Sequence, residues 1–405
     1  MSSTRSKLTI DLEAVAHNWR MHAAHVAPAS CSAVVKANAY GLGIAEISAA
    51  LYHAGCRDFF VASLQEAFQL KVLLSADISI YILSGVFEGE EQACVDAGFI
   101  PVLVSAEMLE RWLRVSNTPS ARSVLKVDTG MGRLGLTVSE LDKVLETDIL
   151  QRAGVVMMLS HLACADEPDH ELNAIQLSRF EEVKQKVSAH APNITYSLAN
   201  SSGCTLGEAY HFDMVRPGVA LYGARRKGSA IGDLKPVVSL YLDVIQIKNI
   251  PAGLPVGYGA TSVSDHPRTI AVAAGGYADG IFRSLSNRGR GYVGSVSAPI
   301  AGIVSMDSTM FDVSNVDGLA DGIFTGVVSA GEGSLNGESV KPKVELLGPN
   351  QGLDELALDS NTIPYELLTS LGERFDRVYL GGVDMLGGVD MRSQDDGVLN
   401  KGAIA

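Results

Sequence analysis

The chain reads as an α/β protein: an N-terminal (β/α)8 TIM-like barrel followed by a mainly β C-terminal domain. Three observations predict this. Eight short apolar runs recur along the first half, most of them separated by spacers of helical period. Near Lys235–Pro236 the texture changes to longer alternating runs divided by Gly-rich turns. The length of 405 residues also exceeds what one hydrophobic core usually supports, so two domains are the starting expectation.

The elements follow in order. Residues 11–26 have helical spacing and precede the run SAVVK (32–36). FFVAS (59–63), ISIYIL (78–83), FIPVLV (99–104), SVLKVD (123–128), GVVMMLSH (154–161), ITYSLA (194–199) and the short MVR (214–216) complete the eight. Amphipathic stretches at 43–55, 64–74, 106–115, 139–147 and 171–190 lie between them. Continuous β-branched runs followed by helices imply parallel strands buried on both faces. Eight such units in about 230 residues fit a closed barrel better than an open sheet.

Beyond them VVSLYLDVIQIKNI (237–250) alternates and has no helical partner nearby. TIAVAA (269–274), GYVGSVSAPIAGIVSM (291–306) and VKPKVELLG (340–348) continue that style. This predicts mixed or antiparallel strands. Residues 330–345 are polar and Gly-rich and read as a loop insertion, and a short helix is expected at 364–372. The expected division is a barrel over 11–235, a β domain over 236–390 joined by residues 1–10, and a polar tail at 391–405. GGVDML followed by GGVDM near that tail is too short a repeat to imply an array.

Composition narrows the function. The sequence is 47% hydrophobic and 19% charged, which predicts a folded globular chain. Lys plus Arg number 32 against 46 Asp plus Glu, a net charge of −14 that disfavours nucleic acid and anionic lipid as partners. Cys31, Cys56, Cys94, Cys164 and Cys204 are scattered, with no CxxC pair, so neither a disulfide framework nor a metal site is expected. Residues 1–13 do not read as a secretory signal, and no run of about 18 apolar residues suggests a membrane span. A cytoplasmic protein is expected.

In such a barrel the chemistry lies at the C-terminal strand ends. Lys36 ends the first run. Lys126 and Arg133 follow in LKVDTGMGRLG, His161 in SHLACADE, Asn200 and Ser201 in LANSSG, and Arg216 and Gly218 in MVRPGVALYG. Singly these are weak signals. A strand-end lysine is usually a solvated cation, a lone histidine a structural one, and a lone serine a helix cap. Together they can converge on one anionic ligand. Lys36 leaves an apolar run, where desolvation and a neighbouring cation lower an amine's pKa. A neutral amine forms Schiff bases with carbonyls. Pyridoxal 5′-phosphate is such a carbonyl and needs a phosphate cradle, which Ser201, Gly218 and the backbone after it can supply, with Tyr40 as a further donor.

The motifs VVKANAYG (34–41), KVDTGMGRLG (126–135), SHLACADE (160–167), MVRPGVALYG (214–223), VGYGAT (256–261), GYADG (276–280), VSMD (304–307) and NTIPYE (361–366) occur in the order found in one family. Over about residues 7–380 the chain resembles bacterial alanine racemase, a fold-type III pyridoxal-phosphate enzyme. The resemblance implies that Lys36 carries the cofactor as an internal aldimine and is the base on the D-alanine face. Tyr258 would be the base on the L-alanine face. Arg216 would donate to the pyridine nitrogen, and His161 would link Arg216 to Tyr258. Tyr40, Ser201, Gly218, Val219 and Tyr365 would hold the phosphate. Arg133 and Met306 would bind substrate. The lysine at 126 would be open to carbamylation, placing Arg133.

A head-to-tail homodimer is implied, in which Tyr258 and Met306 enter the partner's site. The product would serve peptidoglycan synthesis or alanine catabolism. Leu42 stands where many relatives carry histidine, which should alter supporting contacts rather than the Schiff base. Two enzymes of similar fold, a racemase of broader specificity and a decarboxylase, are the nearest alternatives. A non-catalytic cofactor carrier is the third, and Tyr258 with the whole β domain counts against it.

Overall fold

A computed structural model describes residues 6–74, 77–224, 231–319 and 342–381. Most of the expected insertion, 330–341, lies outside them, as do the GGVDM repeat and the tail 391–405.

The described chain opens with β1 (Lys7–Asp11) and the helix Leu12–Val26, whose first turn is capped by Asp11 accepting from the Ala14 N–H at 2.8 Å. The barrel strands are β2 (Ser30–Cys31), β3 (Ala33–Val34), β4 (Asp58–Val61), β5 (Ser79–Ile82), β6 (Ile100–Leu103), β7 (Ser123–Lys126), β8 (Val155–Leu159), β9 (Thr195–Ser197) and β10 (Met214–Val215). Strands β3 to β9 form one parallel sheet in chain order.

Within the first expected run only Ala33–Val34 is a strand, and a further short strand, β2, precedes it; the two help close the ring. Strand β2 pairs in parallel with β10. The Val34 N–H then donates to Pro217 O at 3.0 Å, and on the far side the Arg216 N–H donates to Ala199 O at 2.9 Å. Two residues suffice for β10 because backbone hydrogen bonds on both sides fix it.

Phe59, Phe60, Val61, Ile82, Val102, Leu103, Val124 and Leu125 are buried, as strands covered on both faces require. Each such side chain contributes about 1.5–3 kcal/mol through burial. Between the strands stand Ile44–Ala54, Leu64–Leu73, Glu91–Ala97, Ala106–Trp112, Val138–Leu145 and Glu171–His190. The seven-residue Glu91–Ala97 was not expected. It is too short to show a helical period.

The second half holds β11 (Val238–Ile250), β12 (Pro255–Val256), β13 (Ser262–Val263), β14 (Arg268–Ala274), β15 (Arg290–Val293), β16 (Val296–Pro299), β17 (Ser308–Asp312), β18 (Lys343–Leu347) and β19 (Asp376–Leu380). One eight-stranded sheet runs β16-β15-β18-β11-β1-β19, with β14 branching from β11 and β17 pairing with β14. Irregular register at Leu240/Tyr241 and Val244/Gln246 lets the 13-residue β11 serve two sets of partners. Its pairs are antiparallel, apart from β1 with β19. Thus β1 joins the start of the chain to its last described strand and leads straight into the barrel. No helix of the described residues is long and apolar enough to cross a membrane.

Candidate active site

Lys36 follows β3 with only Val35 between them. The next four residues, Ala37, Asn38, Ala39 and Tyr40, have φ of 54, 54, 52 and 56°, and Gly41 follows at 81°. This is one turn of left-handed helix built from L-residues, at a cost of about 1–2 kcal/mol per residue. It is tied down at both ends. Glu66 bridges from the barrel, accepting from the Ala37 N–H at 2.8 Å and the Ala62 N–H at 2.7 Å. Asn38 Oδ1 accepts from the Ile44 N–H at 2.8 Å. Strain concentrated at one strand end is a mark of a functional position.

Around this turn the strand ends gather cations. Burial and the nearby Arg133 charge pull the Lys36 amine below the usual lysine range, against an opposing pull from Glu66. Lys126 ends β7 and is buried, and its pKa is lowered to about 8 by burial and then by Arg216 and Arg133. Arg216 is enclosed, and burial lowers it to about 10. It donates from Nη1 to Ser197 Oγ, and from Nη2 to Ser160 O at 2.7 Å, Leu198 O at 3.2 Å and His161 Nδ1 at 3.3 Å. Its Nε has no acceptor among the described residues.

His161 is held well below its ordinary pKa by burial and by Arg216, Lys126, Arg133 and Lys36, so it is neutral. With Nδ1 accepting from an arginine, which can only donate, the proton sits on Nε2.

Two loops fix these groups. Asp128 accepts from the N–H groups of Gly130, Met131 and Gly132 at 2.8–2.9 Å, which shapes the turn carrying the exposed Arg133. Gln176 is fully buried. It donates to His161 O at 2.9 Å and Thr129 Oγ1 at 3.2 Å, and accepts from the Ala163 N–H at 2.8 Å. One amide thereby ties the end of β7 to the end of β8.

The expected phosphate residues also meet. Ser201 Oγ accepts from the Gly218 N–H at 2.8 Å and the Ala220 N–H at 3.4 Å. A Cβ on Gly218 would overlap the Tyr40 hydroxyl, so glycine is required for that approach. Val219 is buried and opens the 3-10 turn after Gly218. The Tyr40 ring lies 4.7 Å from Tyr222 and 6.0 Å from Tyr365, which is on the helix Pro364–Ser370. Burial pushes the Tyr40 phenol up, so it stays a donor.

Tyr258 and Met306 stand apart. They are 70% and 52% exposed. The Tyr258 hydroxyl has no hydrogen-bond partner among the described residues. Gly257 and Gly259, at φ of 76 and 69°, shape its turn. The Met306 O accepts from the Ala278 N–H at 3.0 Å. Glu66, Gln176, Ser197 and Tyr222 were not singled out in the sequence. Each acts through a contact distant in the chain, and none has a local signature.

Two family models match the chain. The one described as alanine racemase, N-terminal domain, covers residues 10–226, and the one described as alanine racemase, C-terminal domain, covers residues 237–379. Alanine racemase from Brucella abortus is 43% identical over 389 residues, covering 92% of this chain and 93% of the relative. A catabolic alanine racemase from Agrobacterium fabrum is 42% identical over 377 residues, covering 92% of both. Among solved structures, alanine racemase from Bartonella henselae with covalently bound pyridoxal phosphate matches with a TM-score of 0.84 at 40% identity, over 93% of this chain and 99% of that one. Biosynthetic alanine racemase from Pseudomonas aeruginosa matches with a TM-score of 0.81 at 33% identity, over 93% and 99%.

Proposed function

The chain belongs to the alanine racemase family, and from that premise we propose that it interconverts L- and D-alanine with Lys36 and the partner's Tyr258 as two opposed bases. The observation that carries this is the Lys36 amine. It leaves a buried strand in a strained turn, and burial and Arg133 ease its neutral form.

The residues present fit pyridoxal 5′-phosphate. A Cβ on Gly218 would overlap the Tyr40 hydroxyl and Ser201 Oγ accepts from the Gly218 N–H, so three groups able to hydrogen-bond a phosphate lie together. Tyr40, Ser201, Gly218, Val219 and Tyr365 would hold that phosphate. When bound, the cofactor supplies a carbonyl for amine attachment and a ring that delocalises charge left at the substrate Cα.

The chain's own groups do the rest. Lys36 would hold the cofactor and accept the proton on the D-alanine face. Arg216 keeps its charge at neutral pH with a pKa of about 10, so it would hold the cofactor's ring nitrogen as a hydrogen-bond donor without protonating it. That limits charge withdrawal and favours prompt return of the proton over side reactions. His161 accepts from Arg216 and directs its Nε2–H toward the partner's Tyr258. Arg133 binds the substrate carboxylate, and Met306 of the partner subunit offers a backbone contact.

At a pKa of about 8, Lys126 has a neutral fraction that can add carbon dioxide, and the carbamate would offset Arg216 and Arg133. Residues 11–235 make the cofactor barrel. Residues 1–10 and 236–390 would make the domain that lends Tyr258 and Met306 across a head-to-tail homodimer. The product supplies peptidoglycan, or the enzyme catabolises alanine.

The test is Cα–deuterium exchange in D2O. Lys36→Ala should remove covalent cofactor attachment and exchange from both enantiomers. Tyr258→Phe should suppress exchange from L-alanine about a hundredfold more than from D-alanine. Equal suppression, or covalent attachment without Lys36, contradicts the assignment.

A further inference from the structure

The left-handed turn after Lys36 needs support, because strained backbone persists only where its surroundings over-determine it. Inside the turn the Gly41 N–H donates to Ala37 O at 2.7 Å and the Gly43 N–H to Asn38 O at 3.0 Å. Glu66 secures its entry from the barrel. Its exit is secured from the other half of the molecule. Arg377 Nη1 donates to Gly41 O at 2.6 Å, and the Tyr379 hydroxyl donates to Leu42 O at 2.9 Å.

Both donors are on β19. Residues 377 and 379 alternate along it and so share a face of the sheet. Strand β19 is itself fixed, paired in parallel with β1 from Lys7↔Asp376 to Asp11↔Leu380. The sequence of the turn matches this approach. Gly41 and Gly43 have φ of 81 and 105°. A Cβ on Gly41 would lie 2.8 Å from Leu368 O, and one on Gly43 would overlap the Tyr379 hydroxyl. Glycine stands at the two positions where the β half presses closest.

We propose that Arg377 and Tyr379 are positioning residues for Lys36: β19 braces the left-handed turn so that the lysine stays aimed into its own barrel. Each β domain then serves two sites, its own subunit's through β19 and the partner's through Tyr258. The inference rests on Lys36 being the cofactor lysine. The brace itself rests on the backbone contacts alone.

The experiment uses the full chain, as wild type, Arg377→Ala, Arg377→Lys and Tyr379→Phe. Hydrogen exchange of a peptide spanning 36–44 is followed by mass spectrometry, without and with pyridoxal phosphate. The rate of covalent attachment of added pyridoxal phosphate is read from its visible absorbance. Arg377→Ala should raise exchange in 36–44 roughly tenfold, leaving peptides from β5 to β8 unchanged. Attachment should slow in parallel, and Arg377→Lys should restore part of both. Tyr379→Phe removes one hydroxyl with little loss of packing, and should move both readouts the same way by less. It keeps the test available if Arg377→Ala does not fold.

Unchanged exchange and attachment in folded variants overturn the brace. So does a rise in exchange spread evenly over the molecule. Failure of the wild type to attach cofactor at Lys36 would refute the preceding assignment, while the exchange comparison would still decide the brace.

Discussion

His22 is fully enclosed, with Nδ1 against Asn18 O at 2.8 Å and no partner for Nε2 among the described residues. Burial lowers its pKa to about 4, whereas an unfolded histidine titrates near about 6.5. The sign follows from proton uptake. Between those values the unfolded chain binds a proton that the folded chain refuses, so stability falls as pH drops through the window, by on the order of 3 kcal/mol. His161, also held low, acts in the same direction. Urea denaturation at pH 7 and pH 4.5 should show this loss in the wild type and a clearly smaller one in His22→Gln; equal losses would mean His22 is not the group responsible. The sequence pointed to Lys36, Lys126, His161 and Arg216 because each ends or closely follows a strand, and strand ends are visible as the close of an apolar run. It was silent on Glu66, Arg377 and Tyr379, whose work is done on backbone atoms of residues 37, 41 and 42. Nothing local marks a side chain that reaches a carbonyl more than 300 positions away.

Among elements, the long and periodic ones were legible. The helix Glu171–His190 matches its expected bounds, and β11 starts one residue inside its expected run. Strands β17 and β19 were not foreseen. STMFD and DRVYL are five residues each, too short for alternation to stand out. Yet both border the chemistry. Arg374, just before β19, forks onto Asp279 at 2.6 and 2.7 Å and reaches Asp307, just before β17, at 2.7 Å. This ties the GYADG turn to the loop of Met306, where the Tyr277 N–H also donates to Ser305 O at 3.0 Å. Arg374→Ala should loosen the substrate side of the site and raise KM for alanine roughly three- to tenfold, with a smaller change in kcat. Steady-state kinetics in both directions would check it, and an unchanged KM would remove the loop pair from substrate binding.

At the scale of the whole molecule, the acidic balance and the site point opposite ways. The chain carries −14 overall, yet Arg133 lies close enough to lower the pKa of Lys36, and Arg216, Arg133 and Lys36 that of Lys126. Local charge, not the total, decides which anions are held. The barrel was readable from eight runs, and its closure through the two-residue β10 shows how little sequence the last strand needs. Tyr258 is 70% exposed on the β half, and the proposal that it works opposite the partner's Lys36 makes a prediction about mixed dimers. The most direct test of the account is complementation between two inactive variants, Lys36→Ala and Tyr258→Ala, co-expressed and purified together. If each site takes its lysine from one subunit and its tyrosine from the other, every mixed dimer holds one intact site and one doubly damaged site. A random mixture should then regain about a quarter of wild-type racemisation. Activity no greater than that of the separate variants would contradict a shared site.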